Sequence, residues 1–260
     1  MSWDHNRYLA KAQIYWAQAT GYERDSDRFL LTVAFACEFL ARAVLTSVNP
    51  ALNAASDTES VLFASGIEPK NSAKSVDIMD GLNRVQRLVT SMADIEIANV
   101  KVLISARNQE LHSDEAALAT VDVQEAMPAV YGFIVKCCTF MNHDPKVLMG
   151  DEDGVMAITV SDASQKDRKR RVGDLIRIHK DRFFGNSEEE QAAAREKAKS
   201  VEFSSAVLKS GHHVRREKCP ACAESALLAG PPVGRSAPFL KDGDIVREVR
   251  ISPSILSCVC

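Results

Sequence analysis

Six consecutive residues, Arg107 to His112, place a permanent cation, an amide and an imidazole within one predicted helix. Histidine titrates near neutral pH and can transfer protons, and an arginine guanidinium can hold a phosphate through two parallel hydrogen bonds. The amide of Asn108 can orient either group. Groups of these types can cleave RNA without a metal ion. The structural alternative is an arginine and a histidine that lie near a helix end by chance.

On an ideal helix, His112 lies about 140° around the axis from Arg107, whereas Asn108 and His112 are about 40° apart. One helix therefore presents Asn108 and His112 together, with Arg107 on the flank. In-line phosphoryl transfer needs proton transfer at both the attacking and the leaving oxygen. A single copy of the motif is thus an incomplete site, and a two-fold dimer would supply two histidines and two arginines in one cleft.

The elements that must position this motif are helices. Apolar residues at helical spacing predict five of them in the first half of the chain, over about residues 8–20, 29–48, 76–93, 95–112 and 123–141. The last is apolar almost all round, as expected for a helix buried in a bundle. Residues 53–75 and 113–120 are the predicted connections.

Glu38 and Arg42 lie one turn apart on the second predicted helix, among small or apolar residues. In this setting both residues could line the cleft that contains the motif. The alternative is an i,i+4 ion pair on a solvated helix edge.

The second half of the chain changes character. Residues 155–160 read as a short strand, and residues 188–199 read as an exposed helix. The basic run at residues 166–171 either contacts phosphates or forms a solvated linker or helix face. We expect three parts: a helical bundle at 1–145, a connecting segment at 146–211 and a small β-rich module at 212–260.

Four cysteines in the last part have metal-ligand spacing. Cys219 and Cys222 form a CxxC pair, and Cys258 and Cys260 form a CxC pair, with a predicted turn and strand between the pairs. This layout predicts a zinc ribbon with one structural Zn²⁺ per chain, because a closed four-thiolate site leaves no open coordination position. The second pair departs from CxxC spacing, so His212 or His213 is an alternative ligand.

Composition restricts the class of protein. The chain has 260 residues and a net charge of −3, which suggests one to two domains and gives no global signature of nucleic-acid binding. No apolar run approaches the roughly 20 residues of a membrane span, and residues 1–5 lack the layout of a signal peptide. Seven cysteines without a secretory signal indicate reduced thiols or metal ligands. We therefore expect a cytoplasmic protein with no membrane contact.

The helical first half, with Arg107, Asn108 and His112 on a late helix, resembles the HEPN superfamily. Catalytic members of that family carry Arg, four to six residues and then His, with a polar residue such as Asn after the Arg. Here four residues intervene and Asn108 follows the Arg, and the resemblance covers about residues 1–145. It implies a mainly α fold with an antiparallel helical bundle. It also implies a metal-independent endoribonuclease of a defence system, a toxin–antitoxin module or an RNA-processing complex.

These expectations combine into one mechanism. In a homodimer, the ribose 2′-hydroxyl attacks the adjacent phosphate while His112 acts as general acid and base. Arg107 stabilises charge on the phosphoryl oxygens, and Asn108 orients the imidazole or the phosphate. The products are a 2′,3′-cyclic phosphate and a 5′-hydroxyl, so DNA is not cut. The expected partners are RNA, a second copy of the chain and an antitoxin or defence-system protein.

Two other hypotheses remain open at the level of the sequence. In the first, the bundle is a non-catalytic binding or dimerisation module, the zinc ribbon makes the contact, and Arg107 and His112 secure a helix end through backbone carbonyls. In the second, the bundle is the regulated partner of a nucleotidyltransferase and is inhibited by modification near the motif.

Overall fold

The computed structural model describes residues 3–199, 213–230, 232–235, 239–241, 244–246, 249–251 and 255–258. It divides into two compact units, Met1–Lys166 and Asp167–Cys260. The first unit is helical, and the second combines helices with short strands. The expected mainly α fold with a small β-containing C-terminal part is confirmed at this level.

The first unit is a bundle of helices. Its helices are α1 (His5–Ala19), α2 (Asp27–Val48), α3 (Thr58–Ala64), α4 (Ile78–Leu88), α5 (Asp94–His112), α6 (Val123–Phe140), α7 (Pro145–Met149) and the start of α8 (Asp151–Gly185). Most begin at a short polar side chain that accepts a hydrogen bond from a first-turn backbone N–H. These caps are Asp4, Ser26, Asp57, Asp77, Asp122 and Asp144.

Helix α2 lies at the centre of this unit and contacts α1, α4, α5 and α6. Its small and apolar residues allow close approach of the neighbouring helices. Fully buried side chains from these helices form one continuous core, including Trp16, Phe29, Leu40, Leu82, Leu103, Ile104, Phe133 and Ile134. The central position of α2 explains why Glu38 and Arg42, on its surface, can reach residues of other helices.

The five helices predicted from apolar periodicity are confirmed as α1, α2, α4, α5 and α6. The predicted strand at residues 155–160 is wrong, because these residues belong to α8. The β-branched residues there have some strand preference, but tertiary packing overrides it. Ala157 is fully buried in the core of the first unit, and three acidic residues in the first turn of α8 favour a helix start.

A polar cluster attaches the start of α8 to the bundle. Asp153 accepts a hydrogen bond from Trp16 Nε1 at 3.0 Å and forms an ion pair with Arg24. Arg24 Nη1 also donates to the Tyr131 hydroxyl at 3.1 Å, and burial raises the pKa of Tyr131. Residues 148, 149 and 157 belong to the same core, so the helical unit continues past residue 145.

Helix α2 is long and apolar enough to cross a membrane, by length and composition alone. However, 78% of its most apolar window is buried inside the bundle, and the core helix of a soluble protein passes the same test. The helix is therefore weak evidence about location, and it decides nothing in either direction.

Among the described residues, the second unit contains the rest of α8, the helix α9 (Glu188–Lys199) and seven short strands. The strands are β1 (His213–Lys218), β2 (Ser225–Gly230), β3 (Pro232–Arg235), β4 (Phe239–Lys241), β5 (Asp244–Val246), β6 (Val249–Ile251) and β7 (Ile255–Ser257). An antiparallel sheet has the order β1-β2-β7, while β3 pairs with β6 and β4 pairs with β5.

The cysteines of the bundle lead to the first prediction. Cys37 and Cys138 are buried, and burial raises the pKa of each thiol to about 12. Because the thiolate is the reactive form, we expect neither residue to be alkylated by iodoacetamide at pH 8 in the native protein. In urea both should react, which peptide mass spectrometry detects. Rapid alkylation of either residue in the native protein would contradict this burial.

Candidate functional site

Arg107 lies on the face of α5 that packs against α2, and it is only 8% exposed. Its Nη2 donates a hydrogen bond to Glu38 Oε2, and its guanidinium lies over the Phe35 ring at 4.9 Å from the centroid. Its Nε is buried and has no hydrogen-bond partner among the described residues. A buried donor without a partner costs free energy. Within the described residues, this N–H has no acceptor.

Glu38 joins Arg107 to Arg42. Its Oε1 accepts hydrogen bonds from Arg42 Nε at 3.1 Å and from Arg42 Nη2 at 2.8 Å. One carboxylate therefore holds two guanidinium groups, and the three side chains together carry a formal charge of +1. The sequence placed Glu38 and Arg42 either beside the motif or on a solvated edge. Both side chains are largely buried and connected to Arg107.

The network extends from Arg42 to two further segments. Arg42 Nη1 donates to Asn53 Oδ1 at 3.1 Å and to the Val76 carbonyl at 3.2 Å. Asn53 Nδ2 donates in turn to the Tyr8 hydroxyl at 3.1 Å. Burial raises the pKa of Tyr8. This chain of hydrogen bonds links α5, α2, the segment after α2 and α1.

Asn108 and His112 lie differently from Arg107. Asn108 is partly exposed and His112 is exposed, and neither side chain makes a hydrogen bond to a residue that the structure describes. Helix α5 ends here, because Ser113 adopts an extended conformation. The structure thus joins Arg107 to Glu38 and Arg42, and it leaves Asn108 and His112 open to solvent at the end of the same helix.

This arrangement differs from the hypothesis in which Arg107 and His112 secure a helix end. Within the described part of the chain, Arg107 donates to the Glu38 carboxylate rather than to a carbonyl at the end of α5. His112 makes no hydrogen bond to a described residue, so within that part of the chain its side chain does not secure the end of α5 through hydrogen bonds. An exposed imidazole can exchange protons with a bound molecule.

A second candidate site lies in the second unit. The thiols of Cys219, Cys222 and Cys258 lie within 4.8 Å of one another and could hold a metal ion. The Cys222 and Cys258 sulfur atoms are 3.4 Å apart. Cys219 and Cys222 lie in the turn between β1 and β2, and Cys258 follows β7, which pairs with β2. The sheet therefore brings the distant third thiol to the CxxC turn.

The CxxC turn has the backbone geometry of a compact ligand loop. Ala223 N donates to the Cys219 carbonyl at 2.9 Å, and Ala223 has a φ of 62°. The Ala221 N–H also points to Cys219 Sγ at 3.4 Å, which favours a thiolate at that position. Cys260 and His212 lie outside the described residues, and His213 is not part of the thiol group.

Apolar residues surround the cysteines. Phe183, near the end of α8, is 1% exposed and packs in one cluster with Cys219 and Cys222. Ile176 and Ala194 pack against the same cluster. A dry environment of this kind limits access of water to the sulfur atoms.

Some of these residues had no signal in the sequence. Phe35 precedes Glu38 by three residues on α2 and could have been found as its helical neighbour. Asn53 and Tyr8 join the network only through packing of distant segments, and nothing in their spacing indicates it. Phe183 lay outside every predicted element.

No family model, no curated protein and no solved structure matches this chain. A functional assignment therefore depends on the side chains themselves.

The shared carboxylate leads to the second prediction. Glu38→Ala leaves two largely buried guanidinium groups without their common partner, so we expect a loss of about 3–5 kcal/mol in the free energy of unfolding. Glu38→Gln retains an acceptor oxygen and should cost less. Urea unfolding measures both, and Glu68→Ala is the control because Glu68 is exposed. A loss equal to that of the control would contradict the role of Glu38.

Proposed function

We propose that this chain is a metal-independent endoribonuclease of the HEPN type, with Arg107, Asn108 and His112 in its active site. The proposal rests on the different environments of Arg107 and of Asn108 and His112 at the end of α5. Arg107 is held by Glu38 and Phe35, while Asn108 and His112 have no partner among the described residues. A structural role explains Arg107, and the more exposed amide and imidazole remain available to a bound molecule.

His112 is the proton-transfer group in this proposal. The exposed imidazole of one copy can accept the proton of the ribose 2′-hydroxyl, and the protonated imidazole of the second copy can donate a proton to the leaving 5′-oxygen. The bond that forms joins the 2′-oxygen to phosphorus, and the bond that breaks joins phosphorus to the 5′-oxygen. The products carry a 2′,3′-cyclic phosphate and a 5′-hydroxyl.

Arg107 supplies positive charge. Glu38 and Phe35 restrict its guanidinium to one orientation, so little side-chain entropy remains to be lost when a phosphate arrives. Only Nη2 donates a hydrogen bond within the described residues, and because Nε is buried, Nη1 is the donor that remains for a phosphoryl oxygen. Glu38 and Arg42 act as positioning residues, and the excess positive charge of the trio favours an anion.

A second copy of the chain completes the site. Arg107 and His112 are about 140° apart on an ideal helix, so one α5 cannot direct both side chains at one phosphate. A two-fold dimer that brings two α5 helix ends together offers a histidine for each of the two reacting oxygens. In this proposal the protein acts on cytoplasmic RNA in a defence system or a toxin–antitoxin module, with a partner protein that restrains it.

One observation favours a different function. The burial of Arg107 and its ion pair with Glu38 are those of a structural residue in a non-catalytic binding module. In that case the bundle serves dimerisation or partner binding, and the second unit makes the contact. The two functions differ in whether His112 is needed for RNA cleavage.

The third prediction tests catalysis. With a chelator present, we expect the wild-type chain to cleave single-stranded RNA but not DNA. His112→Ala should lower the rate about 100-fold or more, because a proton-transfer group is lost. His143→Ala is the matched control and should leave the rate unchanged. Product ends are identified by mass spectrometry, and circular dichroism verifies the fold of each variant.

Cleavage that survives His112→Ala, or that requires an added metal ion, would reject the proposed active site. A strict monomer at micromolar concentration that still cleaves, with a rate proportional to protein concentration, would reject the dimeric site, because the site then needs no second copy. Arg107→Ala is informative only beside Glu38→Gln, since both disturb the same ion pair.

We also propose that the three thiols bind a structural zinc ion, with Cys260 as the fourth ligand. Thiolates at this spacing are typical zinc ligands, and a closed thiolate site holds a fold together rather than activating water. The short strands of the second unit offer little core of their own, which fits a fold that depends on a metal.

The fourth prediction concerns this metal. We expect about one zinc per chain by elemental analysis, and a large loss of zinc in Cys222→Ser. Cys138→Ala, in the bundle, is the control and should retain zinc. Cys260→Ser and His212→Ala or His213→Ala identify the fourth ligand. Zinc far below one per chain in the wild type, or zinc unchanged in Cys222→Ser, would contradict the site.

A further inference from the structure

The two units carry opposite net charge. The first has 14 Lys and Arg against 22 Asp and Glu, and the second has 18 Lys and Arg against 13 Asp and Glu. Their formal charges are therefore −8 and +5, which sum to the −3 of the whole chain. The second unit therefore carries the net positive charge that favours binding of a polyanion, although the whole chain does not.

Much of this positive charge lies on α8. Within the part of α8 that belongs to the second unit, four basic residues fall within an arc of about 100° on an ideal helix. We call them the α8 basic stripe: Lys169, Arg170, Arg177 and Lys180. All four are exposed, and the stripe extends for about 17 Å along the helix axis.

Two other faces of α8 border the stripe. On one side, Asp167, Asp174 and Asp181 form a line of carboxylates seven residues apart. On the other side, Ile176 and Phe183 pack against the cysteine cluster. The stripe therefore lies between an acidic line and the buried face that supports the candidate metal site. Three other basic residues of this part of α8, Arg168, Arg171 and Arg182, lie on the far side of the acidic line.

Two arginines of the stripe have acidic neighbours. Arg170 pairs with Asp167 at 2.7 Å and Arg177 pairs with Asp174 at 3.0 Å, but both arginines are about 70% exposed. Exposed ion pairs contribute little net stability, because water solvates the separated charges well. Replacing these aspartate partners by phosphate oxygens therefore costs little free energy.

We infer that the α8 basic stripe binds the phosphate backbone of RNA, through residues other than Arg107 and His112. The choice of RNA rests on the proposed function, whereas the choice of a polyanion rests on the charge and exposure of the stripe. Four phosphate contacts release condensed counterions, so binding weakens steeply with salt. The stripe recognises the backbone without base contacts and adds affinity without sequence preference.

The fifth prediction tests this surface by fluorescence anisotropy with a labelled single-stranded RNA. All proteins carry His112→Ala, so that the RNA stays intact if the chain is a nuclease. The stripe variant replaces Lys169, Arg170, Arg177 and Lys180 by Gln. The control variant removes the same charge from exposed positions of the bundle, at Arg28, Lys70, Lys74 and Arg87.

We expect the stripe variant to bind RNA at least about tenfold more weakly than the control, and to lose about 3 units from the slope of log affinity against log salt. Replacing Asp167, Asp174 and Asp181 by Asn should tighten binding, because it removes repulsion beside the stripe. Equal binding by the stripe and control variants would overturn the inference.

Two further arms separate the sources of failure. Preference for duplex DNA or for anionic lipid vesicles over RNA would overturn RNA as the partner. Cleavage is measured separately in proteins that retain His112. A chain that never cleaves RNA, but whose binding depends on the stripe, rejects the proposed nuclease and leaves the binding surface standing. If the chain cleaves RNA but binds it equally well without the stripe, the binding surface is rejected and the proposed nuclease stands.

Discussion

The carboxylate of Glu38, held between two guanidinium groups, is the interaction on which the candidate site depends. Buried charges are stable only with partners, and here one anion serves Arg42 and Arg107 at once. The pairing joins α2 to α5, and the further bonds of Arg42 reach Asn53 and the Val76 carbonyl. The position of the motif helix is thereby coupled to the core of the bundle rather than to a surface loop.

The ion pair between Glu38 and Arg107 also gives the residues of the motif different environments. Because Arg107 faces Glu38 on α2, helix geometry directs His112 away from the bundle and into solvent. The buried arginine and the exposed histidine are thus two consequences of one packing arrangement. The proposed dimer follows from this division, since one copy cannot direct both groups at a single phosphate. The cysteine cluster and the α8 basic stripe belong to the other unit.

Local patterns predicted much of this protein. Helices α2, α5 and α6 followed from apolar periodicity, and the turn that carries Cys219 and Cys222 followed from the spacing of two thiols. The prediction failed where local preference and packing disagree. Residues 155–160 resemble a strand by composition, but burial of Ala157 in the core and the anchoring of Asp153 by Trp16 place them in a helix.

By itself, the sequence determined five helices of the bundle and which two cysteines share a turn, because both depend on neighbours within a few positions. Only the tertiary structure decided that Glu38 binds Arg107 across 69 positions and that Cys258 reaches Cys222 across 36. Such partners are selected by the packing of whole helices and strands, where burial makes an unpaired charge costly. The spacing of residues along the chain does not indicate which distant residues become partners.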